Sequence, residues 1–271
     1  MAAGLTAVRR WREALEGWAI PEEILARAPE DPWIFPTELF VAKADAAPPD
    51  TPSRHRALEA LPHGGTVLDV GCGAGAASLA LVPPAGRLIG VDPLRDMLDE
   101  FEDRARRAGV PAQAIQGPWP EVAPVQVAEV VVCHHVLYNV PDLGPFVEAL
   151  TAHARRRVVV ELTDRHPVAW TGDLWRRFHA LDRPAGPTAE DCAAALRELG
   201  VDAAVEAFDE PGGAWGFRRK QDAVALVRRR LCLPASRDPE VEEAIVDRLV
   251  EREGFWRVGI PRRLATLWWE A

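Results

Sequence analysis

Three glycines spaced two apart, Gly71, Gly73 and Gly75, follow an aliphatic run broken by one acid in the stretch VLDVGCGAGAASLAL, Val67 to Leu81. Glycines at that spacing let the backbone turn sharply and approach a ligand without Cβ collisions. A helix starting just after them would offer unpaired N–H groups. A nucleotide-type ligand fits such a loop, and Asp69, two residues ahead of the first glycine, restricts its kind. A carboxylate there repels a pyrophosphate, and GxGxG is not the GxGxxG of dinucleotide sites. A cationic ligand is favoured. Asp92 closes the next aliphatic run, 17 residues past Gly75. A carboxylate at that point can accept hydrogen bonds from both hydroxyls of a ribose.

Two later stretches carry groups able to move a proton. VVCHHVLYNVPDL (131–143) holds His134, His135, Tyr138 and Asn139, and VVVELTDRHPVAW (158–170) holds Glu161, Thr163, Asp164 and His166. Imidazoles beside carboxylates have tunable basicity. Adjacent residues of an extended chain point apart, so one of the two neighbouring histidines faces a given ligand, and His135 is favoured. His166 precedes a proline, which holds its backbone extended. The choice of base among His135, His166 and Glu161 stays open.

These residues need a scaffold that brings strand ends together. Strands are expected at 66–70, 87–91, 112–116, 128–133, 156–162, 202–208 and 263–269, and helices at 95–108, 142–154 and 188–199. The runs at 66–70 and 129–133 are almost wholly apolar, as in parallel strands buried on both faces. Alternating strands and helices imply an α/β fold: a Rossmann-like, doubly wound, mostly parallel seven-stranded sheet. Residues 1–62 read as an N-terminal helical cap, with Leu5, Val8, Leu15 and Trp18 at helical spacing and a short helix within 31–40. The core spans 63–210, a helical lid insertion spans 211–260, and the last strand lies in 261–271. Within the insertion, helices are expected near 221–231 and 239–253, the second amphipathic through Val241, Ile245 and Leu249.

The bulk properties exclude several classes. A net charge of −9 opposes a general polyanion binder. No window approaches 18 uninterrupted apolar residues, and the N-terminus lacks a signal peptide's apolar centre. The four cysteines are far apart with no CxxC pair, which fits reduced cytoplasmic thiols and neither a disulfide framework nor a metal site. A small-molecule partner is expected, without nucleic acid or membrane, and a homodimer is left open.

With Asp69, the three glycines and Asp92, the chain resembles the class I S-adenosylmethionine-dependent methyltransferases over roughly 65–165. The resemblance implies S-adenosylmethionine as cofactor, a sulfonium and ammonium cation without phosphate, and methyl transfer to a small-molecule acceptor. It implies that Asp69, Gly71, Cys72, Gly73 and Gly75 surround the methionine part and that Asp92 binds the ribose. Pro93, Leu94 and Met97 would lie near the adenine, with His134 completing the wall. Many members have an acid after the third strand. Here the text reads IQGPWPEV (115–122), so Gln116 and Gly117 would stand in and Trp119 would stack on the adenine. Tyr138, Trp33 and Trp170 would face the acceptor. Trp33, Phe35, Trp215, Phe217, Phe255 and Trp256 would form an aromatic lid, to which WRRFH (175–179) would contribute. Other uses of the cofactor (cyclase, lyase or decarboxylase chemistry) remain alternatives, and a nicotinamide-linked oxidoreductase is disfavoured by Asp69.

Overall fold

The computed structural model describes residues 6–33, 50–122, 124–210 and 216–271. The expected helix within 31–40 and the loop at 211–216 fall largely outside these residues, as do Phe35 and Trp215.

In chain order the elements begin with α1 (Ala7–Glu16), α2 (Glu22–Leu25) and α3 (Pro52–Ala60). The core follows with β1 (Thr66–Val70), α4 (Ala76–Leu79), β2 (Arg87–Asp92), α5 (Arg95–Arg107) and β3 (Ala112–Gln116). Next come β4 (Ala128–His134), α6 (Leu143–Ala152), β5 (Ala154–Thr163), α7 (Gly172–His179), α8 (Ala189–Glu198) and β6 (Ala204–Asp209). The chain continues through α9 (Lys220–Arg230), α10 (Asp238–Ala244), β7 (Leu249–Arg252) and β8 (Phe255–Val258) to β9 (Arg263–Glu270).

Seven strands form one sheet in the order β3-β2-β1-β4-β5-β9-β6, parallel except that β9 runs antiparallel to both its neighbours. The side-chain period of two sorts each central strand onto two cores. Leu68, Val70, Val131, Cys133, Val158 and Val160 face the layer that holds α1, α6 and α8. Val67, Val130, Val132 and Val159 face the opposite layer, where Ala57 of α3 and Leu98, Phe101 and Ala105 of α5 pack. This is the expected Rossmann-like fold. Because β1 and β4 are neighbours with helices on opposite faces, their carboxyl ends open into a crevice at the point where the strand order reverses.

Local capping sets the helices that frame that crevice. Thr6 accepts from the Arg9 N–H to start α1, and Thr51 accepts from the Arg54 N–H to start α3, with Pro52 in the tolerated first turn. At α8, Thr188 and Asp191 form a reciprocal capping box. A third core joins Ile20, Leu174 and Trp175 to Val224, Val227, Leu231, Val241 and Ile245, and so seats α9 and α10 beside α7.

The expected helix at 239–253 is corrected by the structure. It ends at Ala244, and β7 and β8 form an antiparallel hairpin across Glu253 and Gly254. Both turn residues have positive φ, +54° and +76°, the conformation that a two-residue hairpin turn requires. Val241 and Ile245 are buried as a helical stripe should be, but Leu249 reaches the same core from a strand. Among the described residues no helix is long and apolar enough to cross a membrane.

Candidate functional site

The glycine loop leaves the end of β1 and is tied to the end of β2. The Gly71 and Cys72 N–H groups both donate to the Val91 carbonyl, at 2.8 and 3.1 Å. Gly71 has φ +71°, and a Cβ built there would lie 2.4 Å from Val136 Cγ2. Gly73 has φ +50° but a Cβ on it would meet nothing within 4 Å, because that side faces the cleft. Gly75, at φ +86°, caps α4.

Two carboxylates hold the loop in place. Asp92 accepts from the Gly73 N–H through Oδ2 and from the Leu94 N–H through Oδ1, both at 2.9 Å. Burial raises its pKa, against those two N–H donors. Asp69 Oδ2 accepts from the Ser78 hydroxyl at 2.6 Å and from the Ser78 N–H at 3.2 Å. Burial pushes Asp69 up to about 6, and the Ser78 bonds only partly oppose it. The Cys72 thiol is buried beside both acids and is held neutral, its pKa raised first by desolvation. Asp69, Asp92, Pro93, Leu94, Met97, Gly71, Cys72 and Gly73 all line one cleft.

Gln116, Gly117 and Trp119 do not line it. Gln116 is exposed and donates to the Pro93 carbonyl at 3.2 Å, while the Gly117 N–H donates to the Asp92 carbonyl at 3.1 Å. Trp119 packs into the core on the α6 side, where its indole N–H donates to the Phe146 carbonyl at 3.3 Å. The expected stacking on adenine is therefore corrected: the indole finds its apolar contacts and its acceptor in the core.

The facing wall gathers residues from distant segments. Glu161, at the end of β5, is 7% exposed. His135 Nε2 lies 3.2 Å from Glu161 Oε1, and the His135 N–H donates to the Glu161 carbonyl at 2.7 Å. Ser53 donates a short hydrogen bond to Glu161 Oε2 and sits 3.0 Å from the Thr51 hydroxyl. Burial alone would raise the Glu161 pKa. His134, His135 and Ser53 overcome it and hold the carboxyl well below the usual range, ionised. His135 adopts φ +60°, an uncommon backbone for a residue with a side chain. Next to it, burial drives the Tyr138 phenol well upward, against the nearby Arg262 cation, so the phenol stays protonated.

His166 stacks on Trp18, with ring centroids 4.3 Å apart and planes 10° apart, and meets Tyr138 edge-on at 6.0 Å. Burial, then the Arg183 cation, lower its pKa to about 4. It is neutral at pH 7 and only weakly basic. His134, Asn139 and Trp33 line the same cleft. Thr163 is buried in β5 and Asp164 uses its backbone to join β9 and α8, so neither reaches the cleft. Trp170 packs against the third core, where its carbonyl accepts from Arg248, and also misses the cleft. So do Phe217, Phe255 and Trp256, which gather around the β7–β8 hairpin. The aromatic lid expected from the insertion is not formed by its described residues.

Sequence reasoning missed Ser53, Ser78, Arg183, Glu210 and Arg262 at the site. Trp18 had been read only as part of a helical stripe. Ser78 had a local signal, one turn into the helix after the loop. The others had none, because their partners lie far away in sequence. The cleft has a volume of about 1820 Å³, above the ~300–1,000 Å³ of a pocket for one small ligand. It has room for two.

Residues 67–157 match a family model described as a methyltransferase domain. No curated protein matches the chain in sequence. Solved structures share its fold. One is the YcgJ protein of Bacillus subtilis, 16% identical with TM-score 0.53, covering 80% of this chain and 97% of its own. A putative methyltransferase of Bacillus halodurans is 14% identical with TM-score 0.52 and the same coverage. A methyltransferase of Geobacter sulfurreducens, solved with S-adenosylhomocysteine, is 17% identical with TM-score 0.51, covering 86% of this chain and 98% of its own.

Proposed function

We propose, from the premise that this chain carries a class I S-adenosylmethionine-dependent methyltransferase domain, that its cleft methylates a small-molecule acceptor. The observation that carries the reading is one cleft with two unlike walls. A glycine loop with an open face at Gly73 lies on one side, and the ionised Glu161 with His135 lies on the other. The residues present suit the cofactor. Gly73 leaves the space that a Cβ would fill, Asp69 supplies negative charge, and Asp92 stands at the end of β2. When bound, S-adenosylmethionine supplies an electrophilic methyl group on a good leaving group. What remains for the protein is alignment, exclusion of water and, for a hydroxyl or amine acceptor, removal of a proton.

Glu161 and His135 are suited to that removal. With Nε2–H directed at Glu161, the basic lone pair of the imidazole is on Nδ1, and the carboxylate stabilises the imidazolium that forms. His166, with its lowered basicity, is a wall residue rather than the base in this reading.

Calorimetric titration with S-adenosylmethionine, S-adenosylhomocysteine and NADH tests the assignment. Micromolar binding of the first two and none of the third is expected. Binding of NADH alone would overturn it.

A further inference from the structure

The wall that faces the glycine loop carries aromatic rings, Trp18, Tyr138, His166 and Trp175, and, among the several arginines that line the cleft, the guanidinium of Arg183. Most ionised groups there are matched. Glu161 is matched by His135 and Ser53, and Glu210 by Arg262 through a two-pronged pair with one arm at 2.8 Å. Arg183 differs. Its Nη1 and Nη2 donate to the Ala19 and Trp18 carbonyls just past α1, and among the described residues no carboxylate pairs with it. Its guanidinium lies over the rings of Trp18 and Trp175, at 5.0 and 4.9 Å from their centroids. Two carbonyls and two indole faces fix the group and shield it from water, but they supply no counter-charge. His166 beside it is neutral and so neither adds to nor cancels that charge.

A fixed, half-desolvated cation against planar rings recognises a particular chemistry. A carboxylate pairs with a guanidinium, and more strongly where water is excluded. A flat conjugated body suits a cleft wall made of such rings, against which it can lie. We infer that the acceptor is a planar, conjugated carboxylic acid, whose carboxylate is met by Arg183 while its reactive atom lies toward His135 and the glycine loop. The inference rests on the methyltransferase reading for the direction of the reactive atom, but the charge preference can be measured without it.

The test uses benzoate, with benzamide as its neutral counterpart. Each is titrated by ligand-observed NMR into the whole protein, with and without saturating S-adenosylhomocysteine. Benzoate should bind at least tenfold more tightly than benzamide. Arg183→Gln should remove that ratio and leave S-adenosylhomocysteine affinity near wild type, while Arg183→Lys should keep part of the ratio. Equal binding of the two probes, or a ratio unchanged in Arg183→Gln, would overturn the inference. Where Arg183→Gln disturbs the end of α1, Arg183→Lys, which keeps the charge, must retain part of the ratio for the inference to stand. Failure of S-adenosylhomocysteine to bind would instead count against the function proposed above, and the benzoate-to-benzamide ratio would still be read.

Discussion

On the glycine-loop side of the cleft, the contacts that shape the loop come almost entirely from residues 69–101. Asp69 holds Ser78, Asp92 holds Gly73 and Leu94, and Phe101 packs beneath Gly75. The opposite wall is assembled instead from residues 18, 53, 135, 161, 166, 183 and 262, which only the finished fold brings together. The first wall is a backbone loop held by two carboxylates, and at Gly71 it can be damaged by adding a single methyl group. The second is made of side chains and charges, and is damaged by removing a charge. The variants that follow separate the two.

The largest effect is expected on the acceptor side. Glu161→Gln keeps the shape and removes the charge that stabilises an imidazolium at His135. Turnover of a hydroxyl or amine acceptor should fall by about 10²-fold or more, the usual contribution of a general base. S-adenosylhomocysteine affinity should stay within about threefold. A matching loss of cofactor affinity would show that the walls are not independent.

Gly71→Ala should do the reverse. Positive φ and a Cβ 2.4 Å from the stiff Val136 side chain combine strain with a clash, so the loop must shift. Cofactor affinity should fall about 100-fold, with a loss of roughly 2–4 kcal/mol in stability by denaturant titration. Adding Val136→Ala should recover part of the stability. Gly73→Ala, where the space is open, should weaken the cofactor with a much smaller stability loss. Equal stability losses at the two glycines would refute this reading of the loop. Asp92→Ala comes next, with cofactor binding weakened at least tenfold, about 1.4 kcal/mol. Near-unchanged affinity would remove Asp92 from the ribose site.

The same contrast explains what could be read in advance. Asp69, Gly71, Gly73, Gly75 and Asp92 lie within 24 residues, so the motif that carries the resemblance, and the α/β alternation around it, could be read locally. Ser53 meets Glu161 across 108 residues, and nothing in either local pattern marks the other. Arg183 carries no local signal, since the fold alone brings its guanidinium over the rings of Trp18 and Trp175. The β7–β8 hairpin was misread because Val241, Ile245 and Leu249 repeat every four residues. Glu253-Gly254 forms the turn instead, both residues with positive φ. Trp119 was placed by its neighbours in sequence, yet its partner is the Phe146 carbonyl on α6.

A pH series sharpens the comparison at Asp69. Its carboxyl titrates at about 6 when folded, above its ordinary value of 3.8. The folded state therefore binds that proton more tightly than the unfolded chain. The contribution of Asp69 to stability should rise as pH falls from about 6 to about 4, by about 3 kcal/mol at most. In the proposed function the cofactor's ammonium favours the ionised form, so cofactor affinity should fall over the same window. Asp69→Asn should abolish both slopes. Affinity equal at pH 7.5 and pH 5 would mean that Asp69 supports the loop through Ser78 without meeting the cofactor's charge.

The smallest effect belongs to Trp119→Phe, which distinguishes the placement seen from the one that spacing implied. The indole lies in the α6-side core and gives one hydrogen bond to the Phe146 carbonyl. Phenylalanine retains most of the buried ring and loses the donor, so a stability loss of about 1 kcal/mol is expected. Affinity for S-adenosylhomocysteine should be unchanged within twofold, because Pro93, Leu94 and Met97 line the cleft and this ring does not. A loss of tenfold or more without a matching change in stability would put the indole against the adenine after all. The loop at 117–122 would then have to swing toward the cleft when the cofactor binds.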